Sequence, residues 1–459
     1  MKLTDPLLEH WQAILAKNDD APAIFNPLGR VDKTFREIDE SAREFDLKLG
    51  NIEAGNVLAI QIGNHQDWPA LLIACLRRRV VVLPLEQSIN QRQRDAALKI
   101  CRARGIIENS KELRQIDNDV PNWGGNAPSL LKLTSGTTAE PRAIRFRSEQ
   151  LLADCNQICE TKGISGADLN FGVIPVSHSY GFSNLLLPLI ARGVPMVMSR
   201  DRTPRAVLDD IGRTNATVFP GMPVLFQAFC EMENVPLLPK LRLCISAGAP
   251  LPMAVARKFR SRFGLAIHSF YGASECGGIC YDREGRTDIE GYVGPPMKGV
   301  ELEVAEPSTI ASQVRVRSGG AGDGYFPESD DEKLGSGRFL PDDLLARDGD
   351  GFKIVGRVSD VINVAGKKVN PSEIEEVLLR FRGVRQAVAF GRPAPGLRNE
   401  EIAACVVGNI ELQEADLVEA CREELSLWQV PKRIFVVDQI PANERGKVSR
   451  RELAKRFRA

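Results

Sequence analysis

Two segments far apart in the chain carry residue types suited to handling phosphate. Leu133-Thr134-Ser135-Gly136-Thr137-Thr138-Ala139-Glu140-Pro141-Arg142 is a small, hydroxyl-rich turn, and backbone N–H groups with Ser and Thr hydroxyls can wrap a polyphosphate. Ile440-Pro441-Ala442-Asn443-Glu444-Arg445-Gly446-Lys447-Val448-Ser449-Arg450 presents one lysine on a glycine-preceded turn. A cation aimed at oxygens whose charge grows in a transition state is commonly worth on the order of 10²–10³ in rate. Read singly, the first segment is an ordinary polar turn, and Lys447 is one member of a basic, solvated tail from Arg445 to Arg458. Read together, they imply a nucleotide gripped by one part of the chain and attacked with help from another.

A third segment, Phe270-Tyr271-Gly272-Ala273-Ser274-Glu275, follows a strand-like run. It puts an aromatic ring, a glycine that allows close approach and a carboxylate at a strand's C-terminal end, where ligands gather in α/β folds. Neither the Walker A pattern nor the Rossmann Gly-x-Gly-x-x-Gly occurs, which sets aside the two commonest nucleotide folds.

The three segments resemble the adenylate-forming (AMP-binding) enzymes, acyl-CoA synthetase-like members above all. In that family the first segment runs Thr-Ser-Gly-Thr-Thr-Gly-x-Pro-Lys-Gly and holds the β- and γ-phosphates of ATP. The resemblance assigns that role to Thr134, Ser135, Gly136, Thr137, Thr138 and Arg142, with Ala139 and Ala143 standing where the family has glycine. It places Tyr271 and Gly272 against adenine beside the small-residue turn Gly248, Ala249 and Pro250, and makes Glu275 the ligand of Mg²⁺. Magnesium held by one carboxylate, with phosphates and waters completing the octahedron, is ordinary protein chemistry. Gly337 to Leu344 aligns with the family's ribose-binding segment and gives that role to Asp343, although Pro341-Asp342 replaces Thr-Gly, so that Asp342 competes for it. Asp348 to Arg357 fits the family closely and makes Arg357 a second nucleotide contact.

Two residues beyond Arg357 the family has a hinge, here Ser359. The loop with Gly366, Lys367 and Lys368 resembles the one that turns toward the thiol for thioester formation. Pro-x-x-x-x-Gly-Lys-x-x-Arg is matched in full at Pro441, Gly446, Lys447 and Arg450, so Lys447 is the expected catalytic lysine. The segment Pro175 to Gly181 matches Pro-x-x-His-x-x-Gly beside the acyl pocket. It makes His178 a residue that touches substrate or gates its entry, with Ser179, Tyr180, Phe182, Gly221 and Met222 lining the pocket. Amino-acid-activating members of the family have an aspartate near the start of this segment to pair with the substrate ammonium, and Gly172 and its neighbours offer none, so the resemblance disfavours an amino acid substrate; a largely apolar pocket with a few polar groups suits a fatty or aryl carboxylate.

Elements must hold these segments in place. Phe35 to Leu49 and Ala70 to Arg77 have helical spacing, whereas Val57 to Ile62 and Val80 to Leu85 read as buried strands. The alternation returns with strands at Phe171 to Val176, Val194 to Met198, Ala216 to Phe219, Leu241 to Ile245 and Ala266 to Phe270. From Gly291 short Gly- and Pro-punctuated runs take over. The expected fold class is α/β: an N-terminal domain of α/β layers over 1–356 with a β-rich subdomain at about 291–356, a hinge at 357–362, and a small mobile α+β C-terminal domain over 363–459. In the last, helices are expected at Pro371 to Arg380 and Glu414 to Leu425, with strands at Ala387 to Phe390, Ile402 to Val407 and Arg433 to Val437.

The 459 residues suffice for two or three cores, and 43% are hydrophobic. Lys plus Arg and Asp plus Glu both number 60, a net charge of +0, so no electrostatic footprint for nucleic acid or anionic membrane exists. Most of the ten cysteines are expected to be buried free thiols of a cytoplasmic protein. Cys276 and Cys280 have helix-like spacing but lack the companions of a zinc site. No apolar run reaches the ~20 residues of a membrane span. The expectation is an ATP-, Mg²⁺- and CoA-dependent acid–thiol ligase that forms acyl-AMP and then a thioester. The alternatives are transfer to a carrier protein's pantetheine, and nucleotide binding without turnover.

Overall fold

Short apolar strands joined by amphipathic helices build two sheets with parallel centres. The computed structural model describes residues 5–108, 112–134, 142–304, 311–364, 367–393, 400–408, 412–441 and 448–457. They form two units: Met1–Glu303 with Arg315–Pro341 and Asp348–Phe352, and Val304–Val314 with Asp342–Arg347 and Lys353–Ala459.

In the first unit an eight-stranded sheet runs, edge to edge, Gly277–Tyr281, Ile267–Ala273, Leu243–Ser246, Val218–Gly221, Asn170–Gly172, Met196–Met198, Pro22–Phe25 and Val31–Thr34. Its six inner strands are parallel, and an antiparallel hairpin closes each edge. Chain order reverses between Asn170–Gly172 and Val218–Gly221, because the chain leaves the former for Met196–Met198 on one side and returns to Val218–Gly221 on the other. Such a switch opens a crevice at the carboxyl ends of the strands, where open α/β sheets bind ligands. A seven-stranded sheet carries Leu130–Leu133 and Ala143–Phe146 as an antiparallel hairpin, with Gly324–Phe326 on its outer edge.

The second unit packs the Val384–Pro393, Glu400–Gly408 and Arg433–Val436 strands against helices Pro371–Arg380 and Glu414–Glu424. Ile374, Leu378, Ala404, Val406 and Leu417 fill its core. The first of these helices starts where its sequence dictates: the Asn370 side chain accepts from the Ser372 N–H, and Pro371 takes the first turn, where no amide donor is needed.

Two expectations change. The strand expected over Phe171 to Val176 ends at Gly172, and the chain then turns through Pro175 into the site. Cys276 and Cys280 share no helix: Gly277, with φ +72°, turns the chain into the Gly277–Tyr281 strand. All ten cysteines are buried free thiols, and no helix among the described residues is long and apolar enough to cross a membrane.

Candidate active site

Segments that leave the carboxyl ends of the parallel strands carry most of the expected site residues of the first unit. After Gly172 the chain reaches His178, which caps a short helical turn: its Nδ1 accepts from the Tyr180 N–H at 3.2 Å. In the neutral ring this leaves the proton on Nε2. Ser179 Oγ donates to Ser274 Oγ at 3.0 Å, which joins this segment to the turn bearing Glu275. The Tyr180 hydroxyl reaches the carbonyl of Ile245 at 3.3 Å, and its ring lies 5.8 Å from that of Phe270. Phe182 turns into the core, 1% exposed. Gly221 ends its strand where a Cβ would lie 2.8 Å from Phe219 and 3.0 Å from Phe226, so packing alone demands glycine. Met222 precedes the Pro223–Glu231 helix as its cap residue.

Next in the sheet, Ser246 leads into Ala247 and Gly248. Gly248 has φ +87°, a conformation that favours glycine, and Ala249 and Pro250 follow it at the surface side of the turn. Tyr271 is 7% exposed within the Ile267–Ala273 strand. A Cβ on Gly272 would lie 2.6 Å from the Gly277 carbonyl, so the hairpin that presents Glu275 depends on that glycine.

Glu275 has a partner that motif reading does not supply. The Tyr325 hydroxyl donates to its Oε1 at 3.2 Å, while the Glu275 carbonyl accepts from the Gly322 N–H at 2.9 Å. Arg142 lies over the Tyr325 ring at 5.7 Å and 3.8 Å from Asp330. Thr134 donates both its N–H, at 2.8 Å, and its hydroxyl, at 3.2 Å, to the Arg142 carbonyl. That pair closes the neck of the expected phosphate loop, whereas Ser135, Gly136, Thr137, Thr138 and Ala139 lie outside the described residues. One carboxylate held by a neutral phenol fits Mg²⁺, a hard cation that can take its other ligands from phosphate and water. Among the described residues no group of three His, Cys, Asp or Glu side chains forms a metal cluster.

Two lysines lie beneath this surface, each 5% exposed. Lys132 Nζ is 3.4 Å from Ser183 Oγ and 4.5 Å from the centre of the Phe146 ring. Lys162 Nζ donates to Asn184 Oδ1 at 2.7 Å and sits 3.4 Å from the centre of the Phe270 ring. Burial pushes the pKa of both down, that of Lys162 to about 7. Ser183 and Asn184 belong to a π-helical turn, Phe182–Leu186, immediately after the His178 segment.

In the second unit the two expected nucleotide contacts meet each other: Arg357 Nε donates to Asp343 Oδ1 at 2.7 Å. The neighbouring Asp342 carbonyl accepts from the Val358 N–H at 2.8 Å. Ser359 lies in a single 3₁₀ turn, Val358–Asp360. Lys367 holds its amine 4.8 Å from the Trp428 ring. Arg450 reaches Asp360 at 2.6 Å, both oxygens of Glu375 at 2.8 and 3.0 Å, and the Ala389 carbonyl at 2.9 Å. Gly366 and Lys447 lie outside the described residues.

Comparison with known proteins bears on this arrangement. Residues 108–317 match the AMP-binding enzyme family and residues 373–447 the AMP-binding enzyme C-terminal domain. A 3,4-dihydroxybenzoate–[aryl-carrier protein] ligase from Bacillus anthracis is 27% identical over 90% of this chain and 96% of its own. A feruloyl-CoA synthase from Amycolatopsis is 26% identical over 90% and 91%. The solved structure of ATP-bound MatB from Rhodopseudomonas palustris superposes with a TM-score of 0.85 at 21% identity, covering 98% of both chains. Both domains of the family occur in order along one chain that has the family's fold, and the protein therefore belongs to the adenylate-forming AMP-binding enzymes.

Proposed function

We propose that this protein is an ATP-dependent acid–thiol ligase. In the first step a carboxylate oxygen attacks the α-phosphorus of ATP, the bond to pyrophosphate breaks, and acyl-AMP forms. In the second a thiol sulfur attacks the acyl carbon, AMP leaves with the C–O bond electrons, and a thioester remains. The observation that carries the reading is the Ser179–Ser274 hydrogen bond, which sets the His178 segment, coming from a strand at the topological switch, against the Glu275 turn of the edge hairpin.

Within this reading Glu275, steadied by Tyr325, binds Mg²⁺, which when bound neutralises phosphate charge. Thr134 and Arg142 flank the phosphate loop, which includes Ser135 to Thr138. Gly248, Ala249, Pro250, Tyr271 and Gly272 form the adenine side, and Asp343 with Arg357 serves the ribose. His178, whose Nδ1 accepts a backbone N–H, touches the acid or gates its entry. Lys447 stabilises the charge that develops on the α-phosphate and pyrophosphate oxygens. Ser359 is the hinge, and Gly366 with Lys367 serves the thiol. The domain limits follow the same reading: 1–356, hinge 357–362, and 363–459.

CoA is the proposed acceptor. A carrier protein's pantetheine is the second reading, favoured by the Bacillus anthracis relative, whose name states an aryl-carrier protein. ATP-dependent pyrophosphate release across short, long-chain and aryl acids, with and without CoA, tests the assignment. Acid-dependent release that rises with CoA is expected. ATP binding without acid-dependent release would replace it with nucleotide binding alone.

A further inference from the structure

Tyr180 stands on a closed ring of contacts whose members come from four different elements. Its carbonyl accepts from Asn184 Nδ2 at 3.0 Å; Asn184 Oδ1 accepts from Lys162 Nζ at 2.7 Å; Lys162 Nζ lies 3.4 Å from the Phe270 ring centre; and Phe270 returns to the Tyr180 ring at 5.8 Å. The Tyr180 hydroxyl is bonded to Ile245 of the Leu243–Ser246 strand. The segment that bears it follows the Asn170–Gly172 strand, and the Val218–Gly221 strand lies between those two in the sheet. The side chain thus crosses from one side of the switch-point crevice to the other. A buried amine and its amide partner are a costly way to seat one aromatic residue, because each must be fully hydrogen-bonded to persist. π-turns, such as the one that supplies Asn184, occur frequently at functional sites.

We propose that Tyr180, held by Lys162 through Asn184 and Phe270, closes the floor of the acid site, so that the enzyme takes a short-chain or single-ring carboxylic acid and rejects long-chain fatty acids. This rests on the ligase reading above. Tyr180 is a specificity-determining residue, and Lys162, which acts through Asn184 and Phe270, is a positioning residue. The groups that face the Lys162 amine are Asn184 from the π-turn, the Phe270 and Tyr281 rings from the edge hairpin, and Cys159 and Asp154 from its own helix. With its pKa pushed to about 7, the amine loses its charge just above neutrality, and the cation–π contact with Phe270 weakens there.

Acid-dependent pyrophosphate release from the full chain with benzoate, hexanoate and dodecanoate tests this. The wild type is expected to prefer benzoate or hexanoate over dodecanoate by roughly 100-fold in kcat/KM, the scale at which a closed apolar pocket discriminates size. Tyr180→Ala is expected to raise the dodecanoate-to-benzoate ratio at least about tenfold. Lys162→Met is expected to raise KM for the acid while leaving KM for ATP unchanged, and to remove a break near pH 7 in the acid kcat/KM profile. Equal use of dodecanoate by the wild type, or an unchanged ranking in Tyr180→Ala, overturns the closed floor while leaving the ligase reading intact. Release with none of the acids, in wild type and variant alike, overturns both.

Discussion

Tyr325 holds two expected site residues at once. Its hydroxyl hydrogen-bonds Glu275 Oε1, and its ring carries Arg142, so one side chain orients the proposed metal ligand and the arginine at the neck of the phosphate loop. Tyr325→Phe keeps the ring and deletes the bond. A hydrogen bond to a carboxylate contributes about 1.5–3 kcal/mol, so adenylation should slow by roughly tenfold or more at limiting Mg²⁺. Raising Mg²⁺ should recover part of the rate, and a rate loss that no Mg²⁺ concentration relieves would dissociate Tyr325 from metal binding. Glu275 is legible in the sequence as a carboxylate at a strand end, but Tyr325 is not, since it lies fifty residues further on in a segment whose only signal is a short Gly- and aromatic-containing strand. The motifs name Asp343 and Arg357 separately, and only the fold shows that they hold each other. Asp343→Asn should therefore weaken ATP binding severalfold, on the order of 1–2 kcal/mol for a charged hydrogen-bond partner. Asp342→Asn, which leaves the Asp343–Arg357 pair in place, should leave the ATP KM within about twofold.

At the scale of the element, the helix Ser148–Lys162 shows what periodicity hides. A lysine in the last turn ahead of Gly163 reads as a surface cation that complements the helix dipole, yet Lys162 is buried against Phe270. Burial brings its pKa to about 7, whereas an unfolded chain gives lysine about 10.4. Between those values the unfolded state binds a proton that the folded state does not, so this residue's contribution to stability rises with pH across that window and is flat below it. Buried thiols work in the opposite sense. Cys101 and Cys244 are pushed up to about 12, so above about pH 8.5 the unfolded chain ionises first and stability falls. Urea unfolding of wild type and Lys162→Met separates the two, because the thiols are common to both proteins. Relative to Lys162→Met, the wild type should gain about 1.4 kcal/mol per pH unit between pH 7 and 9.5. A pH-independent difference would mean that the amine is not titrating in the folded state. Elements with strong local signals are legible to within a few residues, as in Pro371–Arg380, where cap and proline fix the start. The Asn170–Gly172 strand looks longer in the sequence than it is because Val173, Ile174 and Val176 are apolar for a different reason, burial beside the switch-point crevice.

Across the whole molecule the proposed reaction has two half-steps, and different residues should separate them. Lys447→Ala should abolish acyl-AMP formation while sparing thioester formation from supplied acyl-AMP. Gly366→Leu should do the reverse by blocking the thiol's approach. Arg450 belongs to neither class. Its guanidinium ties the start of the Arg450–Arg456 helix to Glu375 of the Pro371–Arg380 helix, to Ala389 of the Val384–Pro393 strand, and to Asp360 in the turn that contains Ser359. The Arg450 and Asp360 side chains are 24% exposed and Glu375 15%, so the pair is partly shielded from water and well coordinated. Removing the arginine leaves two carboxylates facing each other, at a cost of roughly 2–4 kcal/mol to the second unit. Because the same cation fixes the helix just after Lys447 and the turn with the proposed hinge, Arg450→Ala should slow both half-reactions in parallel. Arg450→Lys, which keeps the charge and loses the fork, should recover only part of that loss. A variant that lost adenylation alone would place Arg450 with Lys447 in the chemistry itself, and one that lost neither would reduce the network to a contribution to stability.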